Sequence, residues 1–251
     1  MATGLSSVNA TAPSPFPNLS TNKILASLPA GEFSDIAQHL RRVPLRARQI
    51  CHKQGETIRA IYFPGGGACS LTKVMRDGRT AEIATIGSEG LIGAGVFFGD
   101  ESSHGDVIAY VADPYAVCME AGAFVEEMHR RRAFYNRVVR YSQTLATQIV
   151  QTTACNGLHS VKERYCRWLL MALDRIGGLE LKVTQDFVAA MLGVRRPTVT
   201  LLAAELEAGG IIRAHRGSIT VVDRRNLEAT CCECYASVQA NFRRMLPEIS
   251  Q

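Results

Sequence analysis

Residues 183–222 read VTQDFVAAMLGVRRPTVTLLAAELEAGGIIRAHRGSITVV, and this stretch decides the fold. Thr184 has a side-chain oxygen that accepts from the free N–H groups of the next turn, so it predicts the cap of a first helix. Val188, Leu192 and the small Ala189 give that helix a buried face. Gly193 ends it, with no Cβ to hinder a left-handed turn. Pro197 marks the start of a second helix, where a missing N–H costs nothing. Val199, Leu202 and Leu206 recur at helical spacing and anchor this helix inward. Arg196, Thr198, Thr200 and Leu201 are left facing out at its N-terminal end. Gly209 and Gly210 close the helix, and Ile211–Ile212 and Ile219–Val222 predict two short strands around the turn from His215 to Ser218. Helix, turn, helix and hairpin in this order predict a winged helix-turn-helix. In that motif the start of the second helix enters the major groove of duplex DNA.

The charge pattern agrees. Between Gly193 and Arg225 there are six arginines, at 195, 196, 213, 216, 224 and 225, against Glu205, Glu207 and Asp223. Arginines on and beside the wing suit phosphates, which position a protein on DNA without reading its sequence. The expected DNA-contacting set is Thr184, Gln185, Arg195, Arg196, Pro197, Thr198, Thr200, Leu201, Arg213 and Arg216, with Gln185 as a phosphate donor.

The 251-residue chain as a whole is 47% hydrophobic and 20% charged, with a net charge of +5, as an ordinary globular protein is. It has no apolar run of roughly 18 residues, so no membrane span is expected. The first 22 residues, rich in Ala, Ser, Thr and Pro, predict a disordered tail and not a secretory signal. Eight cysteines without an export signal imply reduced thiols in the cytoplasm. There is no P-loop, zincin motif or Ser/His/Asp pattern, so an enzyme is not expected.

Residues 23–40 predict two short helices around a Pro-Ala-Gly break. From Val43 to Met119 short apolar runs alternate with turns. Ala60–Phe63, Ser70–Met75, Glu82–Ile86 and Val107–Val111 read as strands, and Asp77–Gly78 as a hairpin turn. The fold class is therefore α+β, with an N-terminal β-roll of jelly-roll type over 23–128. From Ala121 to Asn156 the pattern is helical. Phe134, Tyr141, Gln148 and Cys155 are spaced by seven, as are Val138, Leu145 and Thr152. Together they form an a/d seam, which predicts a dimerisation helix over 129–157. Ser160 and Glu163 form a capping box that opens a new helix. The DNA-binding domain is placed at 158–228 and a cysteine-containing tail or helix at 229–251.

A β-roll, a long seam helix and a C-terminal winged helix resemble the Crp/Fnr family of bacterial transcription regulators, over about residues 23–228. The segments LGVRRPTVTLLAAELEAGGIIRAHRGSI and CNGLHSVKERYCRWLLMALDRIG carry the likeness. The resemblance implies a homodimer on a two-fold symmetric operator, in contact with RNA polymerase. The family reads bases with an Arg, a Glu and a second Arg. Here Arg196 fills the first place, while Pro197 and Leu201 stand in the others, so a different operator is expected. Cyclic-nucleotide members hold the ribose with a Glu in a Gly-Glu pair and the phosphate with an Arg. Here Gly93 is followed by Ala94, and no Lys or Arg occurs between Gly87 and Pro114. Cyclic AMP is therefore not the expected effector. Glu89, Gly90, Gly93 and Ala94 mark the matching pocket, with Glu89 expected to be solvated in its turn.

Oxygen-sensing relatives carry iron–sulfur ligands near the N-terminus, but no cysteine precedes Cys51 here. The C-terminal run Cys231-Cys232-Glu233-Cys234 suits a metal, an iron–sulfur centre or a redox sensor. On a helix Cys231 and Cys234 would share a face, and a further ligand could come from Cys155, a histidine or a partner subunit. Reduced thiols on a terminal helix are the plainer alternative. His159 beside the hinge and His215 in the wing stand out among the histidines, and Cys51 and His52 fit a haem ligand by type alone.

Overall fold

The computed structural model describes residues 21–247. Helices α1 (Lys23–Ala26) and α2 (Ala30–Ala37) open it. The expected tail ends sooner than residue 22. Asn22 is 1% exposed. Its side-chain oxygen accepts from the N–H groups of Ile24 and Leu25, and its amide donates to the carbonyls of Pro64 and Gly90 at 2.8 and 2.7 Å. A buried amide with four partners is part of the fold. The rest of that predicted tail, residues 1–20, lies outside the described residues.

The β-roll consists of β1 (Arg41–Arg42), β2 (Gln49–His52), β3 (Ala60–Phe63), β4 (Ala68–Val74), β5 (Thr80–Ile86), β6 (Asp106–Val111) and β7 (Val117–Glu120). They form two antiparallel sheets, ordered β1-β7-β3 and β2-β6-β4-β5. Alternation works as the period of two demands: along β3, Ile61 and Phe63 point into the core and Ala60 and Tyr62 are half-buried. Residues from both sheets share one core, among them Phe63, Cys69, Ile86, Val107 and Met119.

Two helices follow in place of one: α3 (Ala121–Arg130) and α4 (Arg132–Leu158). Arg131 between them is extended. The break is set from a distance, because the Glu32 carboxylate of α2 accepts from the N–H groups of Ala133 and Phe134 at 3.2 and 3.0 Å. The long helix therefore starts at 132 and not at 129. The seam needs a larger correction. Phe134, Val138, Tyr141, Gln148, Thr152 and Cys155 are all less than 5% exposed within the single chain. They are covered by the chain's own β-roll and α9 (Cys234–Met245) and are not left for the helix of a partner subunit. Tyr141 lies so close to Gly90 that a Cβ there would clash with its ring, and Gln148 donates to the Thr85 carbonyl at 3.2 Å. Leu145 is half-buried beside the same core. A sevenfold repeat marks a stripe to be covered and does not say by what.

The C-terminal half holds α5 (Val161–Ile176), β8 (Glu180–Leu181), α6 (Gln185–Leu192), α7 (Arg196–Ala208), β9 (Ile212–His215), β10 (Ser218–Val221) and α8 (Arg224–Thr230), before α9. The capping box of Ser160 and Glu163 is formed. Helices α6 and α7 meet at 108°, within the range of a helix-turn-helix. The wing has three strands, β8-β10-β9, with β8 added to the expected hairpin. A second core gathers Trp168, Leu169, Val188, Leu192, Val199, Leu206 and Ile219, and it takes in Ala68 and Tyr110 from the β-roll. Among the described residues no single helix is long and apolar enough to cross a membrane.

Candidate nucleic-acid interface

Thr184 caps α6 by accepting from the Phe187 N–H at 3.2 Å, so its oxygen is engaged within the motif. Gly193 at φ 65° then turns the chain, with β5 residues Thr80 and Ala81 beside it. Helix α7 buries Val199, Ala203 and Leu206. Arg195, Arg196, Pro197, Thr200 and Leu201 are exposed, and Leu201 is 73% exposed despite being apolar. Thr198, expected to face out, is half-buried. The outward side chains brace one another across the two helices. Thr200 Oγ1 donates to Gln185 Oε1 at 2.7 Å, and Arg196 pairs with Asp186 at 3.4 Å. Arg213 and Arg216 are exposed on the wing. Arg224 is engaged within the domain: it pairs with Asp174 at 2.6 Å and Glu228 at 2.9 Å, and donates to the Tyr235 hydroxyl.

The residues expected to line an effector pocket divide. Gly93 and Ala94 border a cavity of about 310 Å³ between the β-roll and α4, lined also by Ile58, Leu71, Ile86, Leu91, Phe98, Leu145 and Ile149. Its polar lining is His52, Ser102, Ser103, His104 and Ser142, and none of its lining residues is Lys, Arg, Asp or Glu. Burial pushes the His52 imidazole below its ordinary value, although its Nε2 bonds the Ala60 carbonyl at 2.8 Å. Glu89 and Gly90 lie elsewhere. Glu89 is not solvated but forms an ion pair at 2.9 Å with Arg175, both side chains being largely buried. The cation comes from α5, so no inspection of the Gly87–Pro114 segment could have found it. Its one signal in the sequence is an arginine near the end of the mostly apolar run from Trp168 to Ile176, directly after Asp174.

A third group assembles at the C-terminal end of α4. The ligand-type atoms of Cys155, His159, Cys232 and Cys234 all lie within 4.8 Å of one another. This cluster of cysteine and histidine could bind a metal. Cys155 Sγ and Cys232 Sγ are 3.6 Å apart, as are Cys234 Sγ and His159 Nδ1. Hydrogen bonds from Cys155 and Cys231 pull the Cys232 thiol well down, and their own thiols are pushed up in turn. Cys231 is outside the group and donates to the Cys232 carbonyl at 3.2 Å. It does not share a helical face with Cys234, because α9 begins only at Cys234. His215 remains an exposed residue of the wing.

A β-roll joined by one long helix to a winged helix-turn-helix defines a DNA-binding regulator with a sensor-type module. Comparison with known families agrees: residues 42–131 match a cyclic nucleotide-binding domain, and residues 163–230 match a Crp-like helix-turn-helix domain. The chain belongs to the Crp/Fnr family of transcription regulators. Solved structures share the fold. A transcriptional regulator of the family from Eubacterium rectale is 17% identical with a TM-score of 0.64, covering 82% of this chain and 96% of its own. The c-di-GMP responsive global regulator CLP of Xanthomonas campestris is 14% identical with a TM-score of 0.64, covering 77% and 99%. A CRP family regulator from Thermus thermophilus is 16% identical with a TM-score of 0.63, covering 75% and 95%. A search of curated protein sequences found no match.

Proposed function

We propose that the protein is a sequence-specific regulator that binds a two-fold symmetric operator as a homodimer. The observation that carries this reading is the exposed start of α7, where Arg195, Arg196, Thr200 and Leu201 face outward while the opposite face is locked in the core. Arg196 can donate twice to a guanine, and Leu201 can touch a thymine methyl. Gln185, Arg213 and Arg216 serve the phosphates. With Pro197 and Leu201 in the places of the family's other two base readers, the operator differs from that of the cyclic-AMP receptors. Contact with RNA polymerase and action in the cytoplasm accompany family membership.

The dimer uses the outer face of α4. Val139, Gln143, Ala146, Val150, Thr153 and Gly157 recur at alternating steps of four and three, the spacing of a two-helix seam. All but Val139 are exposed, and Val150 is 69% exposed. Ala and Gly in this row let two backbones approach closely. An effector of the β-roll is uncharged, because a phosphate in the described cavity would lose its water without meeting a cation. A second reading, a regulator that answers to metal or redox state, is favoured by the convergence of three thiols and a histidine at the hinge.

Selection from random duplex DNA by the purified chain, without ligand and at two salt concentrations, tests the main reading. The expected product is a palindrome with half-sites about 10 base pairs apart, matching recognition helices ~34 Å apart across the dyad. Weak, salt-sensitive binding without enrichment would overturn a regulator competent without effector. Absence of any DNA binding would make the winged helix a protein-docking module.

A further inference from the structure

The geometry points to a closed, single-ion site of the zinc class built from Cys155 and His159 on one side and Cys232 and Cys234 on the other. A tetrahedral ion with bonds of about 2.3 Å to sulfur and about 2.0 Å to nitrogen holds its ligand atoms about 3.5–3.8 Å apart. The two pairs at 3.6 Å already have that separation. The cluster is enclosed, with the three cysteines at most 5% exposed and the His159 side chain 18% exposed. Four protein ligands and little solvent describe a structural or regulatory ion rather than a catalytic one.

The surroundings fit the same ion. His159 Nε2 lies 3.1 Å from the Glu233 carboxylate. A proton held there leaves the Nδ1 lone pair facing the sulfurs, which is how metal-binding histidines are oriented. Gln151 Nε2 donates to Cys234 Sγ at 3.0 Å. Arg167 is 6% exposed and rests on the Thr152 hydroxyl, one turn before Cys155, at 3.3 Å. No carboxylate is within ion-pair distance of it among the described residues. Three thiolates and a dication carry one net negative charge, which this buried guanidinium would balance. An iron–sulfur centre fits less well, since its cysteines sit on different iron atoms, and four ligand atoms within 4.8 Å suit one ion. A disulfide would use two of the sulfurs and leave the third thiol and the imidazole without a role.

The position supplies the consequence. Cys155 and His159 flank the last turn of α4, and Ser160 opens α5 immediately afterwards. Cys232 and Cys234 sit where the chain leaves the winged helix and enters α9. One ion therefore ties the hinge of the long helix to the far end of the DNA-binding domain. Its occupancy would fix the angle at which the recognition helices meet DNA. This last step rests on the DNA-reading function proposed above, while metal binding itself does not. All four ligands lie outside the segments matched by the two family domains.

The test uses the full-length protein, stripped of metal under a reductant and titrated with Co(II). One Co(II) per chain should give the visible bands of a tetrahedral thiolate site, and one equivalent of Zn(II) should bleach them. Cys234→Ser and His159→Ala should abolish the bands, with circular dichroism showing that the variants remain folded. Glu233→Gln should weaken Zn(II) binding roughly 10- to 100-fold. Cys231→Ser should leave it intact. Absence of Co(II) bands, equal loss in Cys231→Ser and Cys234→Ser, or a Cys155–Cys232 disulfide in metal-free protein would overturn the site. Binding to a selected operator, or to random duplex if none is found, is then measured with and without Zn(II). A change of about tenfold supports the hinge coupling. Zn(II) binding without any change in DNA affinity would refute the coupling and leave the site standing.

Discussion

Arg196 stands 63% exposed at the start of α7, with Asp186 at 3.4 Å as its one ion-pair partner among the described residues. A guanidinium so placed gives up a weak surface partner when it meets a base. Arg196→Ala should cost roughly 1–3 kcal/mol on the selected operator and relax one base position. Arg216→Ala should instead weaken all duplexes alike and reduce the salt slope by about one. Anisotropy titrations on operator and random DNA separate the two, and equal losses on both for Arg196→Ala would remove its base-reading role. Glu82 behaves differently because it is buried. Burial pushes its carboxyl above the usual range, against hydrogen bonds from Ser70, Thr85 and Trp168. The native state thus holds this proton more tightly than the unfolded chain does. Stability from this group is full below the unfolded value of about 4.3 and is lost as pH rises towards the folded value. Glu82→Gln has no such loss. Its melting temperature should gain on the parent between about pH 4 and neutrality, and a constant difference across that range would show that Glu82 does not titrate so.

At the scale of elements, α4 decides the assembly. Its inner face is spent on the chain's own core, and its outer row of Val139, Gln143, Ala146, Val150, Thr153 and Gly157 is left. Ala146→Glu with Val150→Glu should shift sedimentation from dimer to monomer without lowering helix content, whereas Val138→Glu, at a fully buried position, should unfold the chain. A double variant that still sediments as a dimer would move the interface elsewhere. The sequence made legible those elements whose signals are local. The α6 cap, the Gly193 turn, the α7 stripe, the Asp77–Gly78 hairpin and the Ser160 capping box all depend on residues within a few positions. The miscast α4 seam shows where this stops. Spacing by seven identified a stripe, but its cover came from α9 and from strand β5, whose Thr85 lies 63 residues before Gln148. The break at Arg131 has the same origin, since its cap is Glu32. The same holds for the Glu89–Arg175 pair. At the cysteine cluster the tail thiols were visible by type, but their convergence with Cys155 and His159 is a product of folding. Two-residue strands such as β1 and β8 are too short to show a period.

On the scale of the whole molecule, the β-roll and the DNA-binding domain share buried surface as well as a linker. Tyr110 of β6 lies 5.7 Å from the Trp168 ring and 5.5 Å from Phe187. Trp168 Nε1 donates back to Glu82 of β5 at 3.2 Å, and Arg175 reaches Glu89 nearby. Aromatic contacts of this kind couple two cores, because separating them would return large apolar surfaces and a buried charge to water. A ligand in the roll could act on the recognition helix through this clasp, since Phe187 belongs to α6. The parent should therefore melt in calorimetry as one cooperative transition. Tyr110→Ala removes the central ring of the clasp, and truncations of buried aromatics cost about 3–5 kcal/mol. The loss should fall on the junction more than on either core, so the variant should melt in two steps, with each domain's secondary structure retained beforehand. Two transitions already present in the parent would mean that the domains are coupled only through α4. The hinge at His159 would then be left as the route from the roll to the recognition helix.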